Sequence, residues 1–155
     1  MPAEVVTRKG DEGQAYWLLG GLYEVLVSGD ESGGEATVMR ITVPAGTGSP
    51  PHTHSGPEIM YVLKGEVRVH VGDETVTATA GSTFHFPAGT LEFFEASTEA
   101  TVLATYLPGG IDAFFAEVGE PALSRTIPPA DDTEPDFPRI AAAGARYGLE
   151  IKPPA

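Results

Sequence analysis

The sequence predicts an all-β fold: one antiparallel barrel or sandwich of short strands, followed by two short helices. Three observations carry this. Runs of five to eight residues alternate apolar with polar side chains or are rich in β-branched residues. Glycine, proline or aspartate bounds each run, and the apolar spacing changes after residue 108. Alternation is the mark of a half-buried strand, and strands recurring this closely belong to barrels and sandwiches.

The runs fall at 22–28, 36–43, 58–63, 66–71, 74–78, 82–86, 91–96 and 100–107. The first lies between Gly20-Gly21 and Gly29-Asp30, and the second ends at Pro44. Gly56-Pro57 opens the third, Gly65 divides it from the fourth, and Gly72-Asp73 divides the fourth from the fifth. Gly81 precedes the sixth, Pro87 ends it, Gly89 precedes the seventh, and Pro108 follows the eighth. In the fourth, Val67, Val69 and Val71 share one face and leave Glu66, Arg68 and His70 on the other, so His70 is expected at the surface. After Pro108-Gly109-Gly110, Ile111, Phe114, Phe115 and Val118 fall at helical intervals and Gly119 can stop the helix, which is expected to pack on the outside of the barrel. A second helix is expected over 138–147, with Pro138 in its first turn and Gly148 beyond its end. The Pro-rich acidic stretch between them, with Asp131, Asp132, Glu134 and Asp136, reads as a connector within one domain. The expected organisation is a single domain over 1–155, with a barrel core at about 22–107 and a helical extension over 108–155.

Composition agrees with one core. The chain has 155 residues, 41% of them hydrophobic, with 19 glycines and 14 prolines spread as turn markers. No apolar run approaches the roughly 20 residues that span a bilayer, and the first residues lack the pattern of an export signal, so a cytoplasmic protein is expected. Nine Lys and Arg against 22 Asp and Glu give a charge of -13, which argues against nucleic acid and anionic membranes as partners. With no cysteine, any metal must be held by imidazole and oxygen.

Such a site is visible. His52 and His54 are two residues apart, Glu58 is four further on, and Gly46 and Gly65 bracket the run. In an extended segment residues 52 and 54 project to one side, and Pro50 and Pro51 disfavour a helix. The turn at Ser55, Gly56 and Pro57 can return the Glu58 carboxylate to the same point. A lone histidine near prolines is usually a solvated loop residue. Two imidazoles and a carboxylate at these intervals are what a mixed nitrogen and oxygen metal site requires.

The run from Gly46 to Gly65 resembles, without a gap, the first motif of the cupin superfamily, and Gly81, Pro87, Gly89 and position 92 reproduce the frame of the second. Glu92 stands where cupins usually place a histidine, and Ala96 where they place an asparagine. The segments 16–23, 114–119 and 145–150 are similar to those of small bacterial quercetinase-like cupins. The resemblance implies a jelly-roll barrel, one divalent transition metal on His52, His54, Glu58 and Glu92, a homodimer, and a dioxygenase-like reaction on a small enolic, phenolic or polyketide-like substrate. In that analogy Glu58 is both ligand and base, and Glu92 is a fourth ligand or second base.

Two imidazoles and two carboxylates around a divalent cation sum to zero charge, which makes the site hard and favours manganese, iron or nickel over copper, with zinc also admitted. Glu92 can alternatively stay unbound as an acid or base. Three functions are therefore carried forward: the dioxygenase, a redox-neutral cyclase or isomerase using Glu92 as acid/base, and a small-molecule-binding barrel without catalysis. Strand parity places Met60, Val62 and Phe94 on the same side as the carboxylates, so Met60 and Phe94 are candidate substrate contacts. His85, between Phe84 and Phe86, is a further candidate for the pocket lining.

Overall fold

The computed structural model describes residues 4–152. Twelve strands and two helices follow one another: β1 (Ala15–Leu18), β2 (Gly21–Val27), β3 (Thr37–Val43), β4 (His52–His54), β5 (Glu58–Lys64), β6 (Glu66–Val71), β7 (Glu74–Thr79), β8 (Thr83–Phe86), β9 (Glu92–Ala96), β10 (Ala100–Tyr106), α1 (Asp112–Val118), β11 (Glu120–Pro121), α2 (Phe137–Arg146) and β12 (Leu149–Ile151). They form two antiparallel sheets, one of seven strands in the order β11-β1-β2-β3-β10-β5-β8 and one of five in the order β12-β4-β9-β6-β7. All eight runs read from the sequence are strands, and the fold is the expected all-β one.

Alternation does the placing. In β3 and β5 every second side chain is buried, and the fully buried Met39, Val43, Val62, Val67, Val69 and Val102 interleave between the sheets. Each such side chain contributes about 1.5–3 kcal/mol when removed from water. The odd-numbered valines of β6 face inward and His70 faces outward, where it is half-buried and stacked on Phe93 at 4.2 Å.

Strands β1, β11 and β12 escape the sequence reading, and β4, the extended segment of the histidine pair, adds to the eight runs. Two matter for function. Strand β12 pairs with β4 (Leu149 with His54, Ile151 with His52), and β4 meets β9 through His52 and Glu92. The histidine-bearing strand is thus an inner strand of the five-stranded sheet, and residues beyond the barrel core help to hold it.

The expectation that the first helix packs on the outside of the barrel is corrected. Phe114 and Phe115 of α1 are buried, Phe115 stacks on Tyr23 at 4.6 Å, and both line an internal cavity. Helical spacing reveals that α1 has an apolar face but not which surface that face seeks. Here it is the open end between the two sheets. Helix α2 begins as expected, with the Asp136 side chain accepting a hydrogen bond from the Arg139 backbone N–H, and it buries Ile140 and Ala143 at the same end. Among the described residues no helix is long and apolar enough to cross a membrane.

Two glycines bring the site's segments together. A Cβ on Gly48 would overlap the Phe94 carbonyl oxygen, and one on Gly56 would overlap that of Leu107. Gly48 lets the segment before β4 lie against β9, and Gly56 sits in the turn between His54 and Glu58. Gly56→Ala is expected to cost at least about 2 kcal/mol, because backbone rather than a flexible side chain must yield. Urea denaturation of the purified variant checks this, and an unchanged midpoint would contradict it.

Candidate metal centre

His52, His54, Glu58 and Glu92 converge on one point inside the barrel, each offering a ligand atom within 4.8 Å of all the others. Strand β4 presents the two imidazoles from adjacent same-face positions. Strand β5 presents Glu58, and β9 presents Glu92 opposite His52. His52, Glu58 and Glu92 are buried and His54 nearly so.

The contacts are of the length found between ligands of one cation. His54 Nε2 lies 2.9 Å from Glu58 Oε1, yet the two lack the alignment of a hydrogen bond. His52 Nε2 lies 3.6 Å from Glu92 Oε1. Ligands about 2.1 Å from a common ion stand roughly 3–4 Å apart, so both separations suit neighbouring ligands. His54 Nε2, Glu58 Oε1 and Glu92 Oε2 are buried without any hydrogen-bond partner. Orphaned buried polar atoms cost free energy unless something satisfies them, and three on one point call for a cation.

The ring of His52 is already oriented for this. Its Nδ1 lies 2.7 Å from the Pro50 carbonyl oxygen, which can only accept, so Nδ1 carries the proton and the Nε2 lone pair faces the site.

Without an ion, burial and mutual coupling shift the protonation of all four groups. Burial pushes the Glu58 carboxyl up to about 7, only partly opposed by His52 and the neighbouring Glu92. Burial also raises Glu92, with the charge on Glu58 adding to it. Burial, aided by the charge on His52, drives His54 down to about 4, which leaves it neutral as a ligand must be. For His52 burial acts downward, but Glu92, the Pro50 carbonyl and Glu58 outweigh it and the net shift is upward. Glu24, the remaining buried carboxylate among the described residues, behaves oppositely. Burial would raise it, but Arg40, at 2.8 and 2.9 Å, and Arg125 hold it below the usual range. Glu58 and Glu92 have no guanidinium or ammonium, and a metal ion held here would supply what Arg40 supplies to Glu24.

The surrounding cavity has a volume of about 70 Å³, room for a few waters. Met60 and Phe94 line it, as do residues that the sequence reading passed over: Tyr23, Phe114 and Phe115, Tyr106, Ile140 and Leu149. Tyr106 was within reach of parity, since Ala100, Val102, Ala104 and Tyr106 alternate inward and Tyr106 pairs with Glu58. His85 is corrected. It is exposed and outside the cavity wall, because alternation in β8 turns Phe84 and Phe86 inward and His85 outward.

Residues 39–106 match the model of the family described as the cupin domain. Among solved structures the chain is similar to an RmlC-like cupin from Shewanella frigidimarina, with a TM-score of 0.63 and 21% identity over 73% of this chain and 99% of that one. A predicted oxalate decarboxylase from Thermotoga maritima has a TM-score of 0.58 at 24% identity, covering 68% and 99%. The polyketide cyclase RemF from Streptomyces resistomycificus has 0.55 at 18%, covering 67% and 78%. At these identities the likeness is one of fold. No curated protein matches the sequence. The match reaches the cupin domain as a whole and not the quercetinase-like subgroup. The chain has the cupin fold, and residues 39–106 match the cupin domain model.

Proposed function

We propose that the cavity is the active site of a divalent-metal enzyme that moves a proton on a small enolic, phenolic or polyketide-like substrate. One observation carries this reading: two imidazoles and two carboxylates, with no Lys or Arg among them, converge in a largely apolar cavity, three of their polar atoms orphaned. His52, His54 and Glu58 would hold the ion, a set of two histidines and one carboxylate that leaves positions open. A cation held there supplies Lewis acidity to a ligand oxygen. Glu92 then carries the proton, since its Oε2 is unpartnered and burial makes it hold a proton more tightly than a free carboxylate. The apolar wall excludes water and strengthens these interactions. The polyketide cyclase RemF is similar in fold, which supports this reading.

The test is deuterium exchange into acetoin in D2O with manganese-loaded protein. Wild type is expected to accelerate exchange alpha to the carbonyl. Glu92→Ala is expected to retain its ion and lose about 100-fold or more of that rate. No acceleration by loaded wild type would overturn the proposal, and loss of the ion in Glu92→Ala would make Glu92 a ligand.

A second reading is favoured by the donor set itself, because two histidines and one carboxylate also suit non-haem iron and dioxygen. In that case iron-loaded protein would consume oxygen with catechol, in proportion to bound iron.

A further inference from the structure

We infer that the cavity is entered between the β1–β2 turn and the segment before β4, and that Leu19 is the residue that controls entry. The inference rests on the reading of the cavity as a site that takes a ligand, and not on the ion.

The wall of the cavity is uneven. Ile111, Phe114, Phe115, Ile140 and Leu149 close one end and are between 2% and 6% exposed. Leu18, Leu19, Ser49, Pro50, Phe94 and Ile151 also line the cavity but are only half-buried. A side chain that faces both cavity and solvent is a wall one residue thick, so the way in lies among these six. They form one rim. The backbone N–H of Ser49 donates to the Phe94 carbonyl at 3.0 Å, and that of Phe94 donates to the Ser49 hydroxyl at 3.2 Å. Ile151 pairs with His52, next to the prolines, and a Cβ on Gly20 would meet the Thr47 side chain at 3.5 Å. The turn therefore lies against the segment that leads to the histidines.

Within this rim Leu19 is at odds with its own backbone. Leu18 pairs with Gly21, which leaves Leu19 and Gly20 as a two-residue hairpin turn with φ of 49° and 82°. Two positive φ values are the pattern of a type I′ turn, for which Asn-Gly, Asp-Gly and Gly-Gly are the favoured pairs. Among the described residues Leu19 is the one non-glycine with a positive φ, a conformation that a leucine disfavours. Asparagine or glycine would build the same turn with less strain. What leucine adds is an apolar side chain on the cavity wall, and local strain of this kind is kept where function uses it. Strand β1, which carries the turn, is four residues long, half-buried throughout and next to the edge of its sheet, so the turn can open without disturbing the core.

The test is carbethoxylation of the full chain, freed of metal by chelation, with diethyl pyrocarbonate, followed by mass spectrometry at each histidine. His52 and His54 report on the cavity, and His70 and His85, on outward faces, are internal standards. Leu19→Asn suits the turn and removes the plug, and Leu19→Gly repeats the test should the first variant fail to fold. Each is expected to react at least about fivefold faster at His52 and His54, with His70 and His85 unchanged. The rival route passes between His54, Tyr106 and Ile111, which also border a surface depression of about 240 Å³ beside Arg146 and Tyr147. Ile111→Ala thins that wall instead, and its cavity rates are expected to stay near those of wild type. Cavity rates unmoved in both Leu19 variants, or raised as much by Ile111→Ala as by the Leu19 variants, would overturn the inference. Equilibrium manganese affinity should match wild type in the Leu19 variants, since residue 19 is no ligand. Wild type that takes up no manganese would remove the metal-dependent reading and leave the entrance to be judged on the modification rates.

Discussion

His52→Ala is expected to leave the protein folded and unable to retain a metal ion, with affinity falling by more than about 100-fold. Loss of a supporting hydrogen bond behind a ligand already costs about 10–100-fold, and here the ligand itself goes. The imidazole cannot be replaced by a neighbour, because the other two histidines, His70 and His85, lie on outward faces. Nor does the barrel depend on it, since the fully buried interior is built from Met39, Val43, Val62, Val67, Val69 and Val102. Competition of each protein with a metallochromic dye gives the two affinities, and circular dichroism checks the fold. Equal affinities would show that the ion sits elsewhere.

Glu58→Gln is expected to stabilise the metal-free protein at pH 8 while destroying its response to metal. Glu58 holds its proton more tightly when folded, at about 7, than at its ordinary value of 4.5. The folded state therefore binds more protons than the unfolded one between these values. The stabilisation linked to this group is fully present below pH 4.5 and is lost as pH rises through 7. The loss reaches about 3 kcal/mol above pH 7, and the neutral amide avoids it. Metal-free Glu58→Gln should then melt about 5–10 °C above metal-free wild type at pH 8, with the gap closing near pH 5. Adding manganese should raise wild type and leave the variant almost unmoved. Because the proton competes with the ion, manganese affinity of wild type should fall about tenfold from pH 8 to pH 6. A variant that melts below wild type at pH 8 would mean that the carboxylate is satisfied within the protein.

Both outcomes hinge on groups that the sequence displays locally. His52, His54 and Glu58 lie within seven residues, and extended geometry with one Gly-Pro turn suffices to converge them. Glu92 needed the second motif frame, because nothing local says that β9 lies beside β4. Strands such as β3, β5, β6 and β10 were legible because each is six or seven residues long and can show a period of two. Strands β1, β4, β11 and β12 have two to four residues, which leaves little or no period to read. The cavity's closed end was the least legible part. Phe114, Phe115, Ile140 and Leu149 meet there through contacts distant in sequence, and amphipathic spacing marks a face without naming what covers it. His85 shows the reverse, since its alternation with Phe84 and Phe86 already assigned it to the outer face once the phenylalanines were taken as inward.

The most direct measurement is elemental analysis of wild-type protein purified without added metal and then equilibrated with manganese, iron, nickel or zinc, beside His52→Ala treated identically. The account predicts about one divalent ion per chain in wild type and close to none in the variant. Wild type that stays metal-free after equilibration, or a variant that binds as much as wild type, would contradict it.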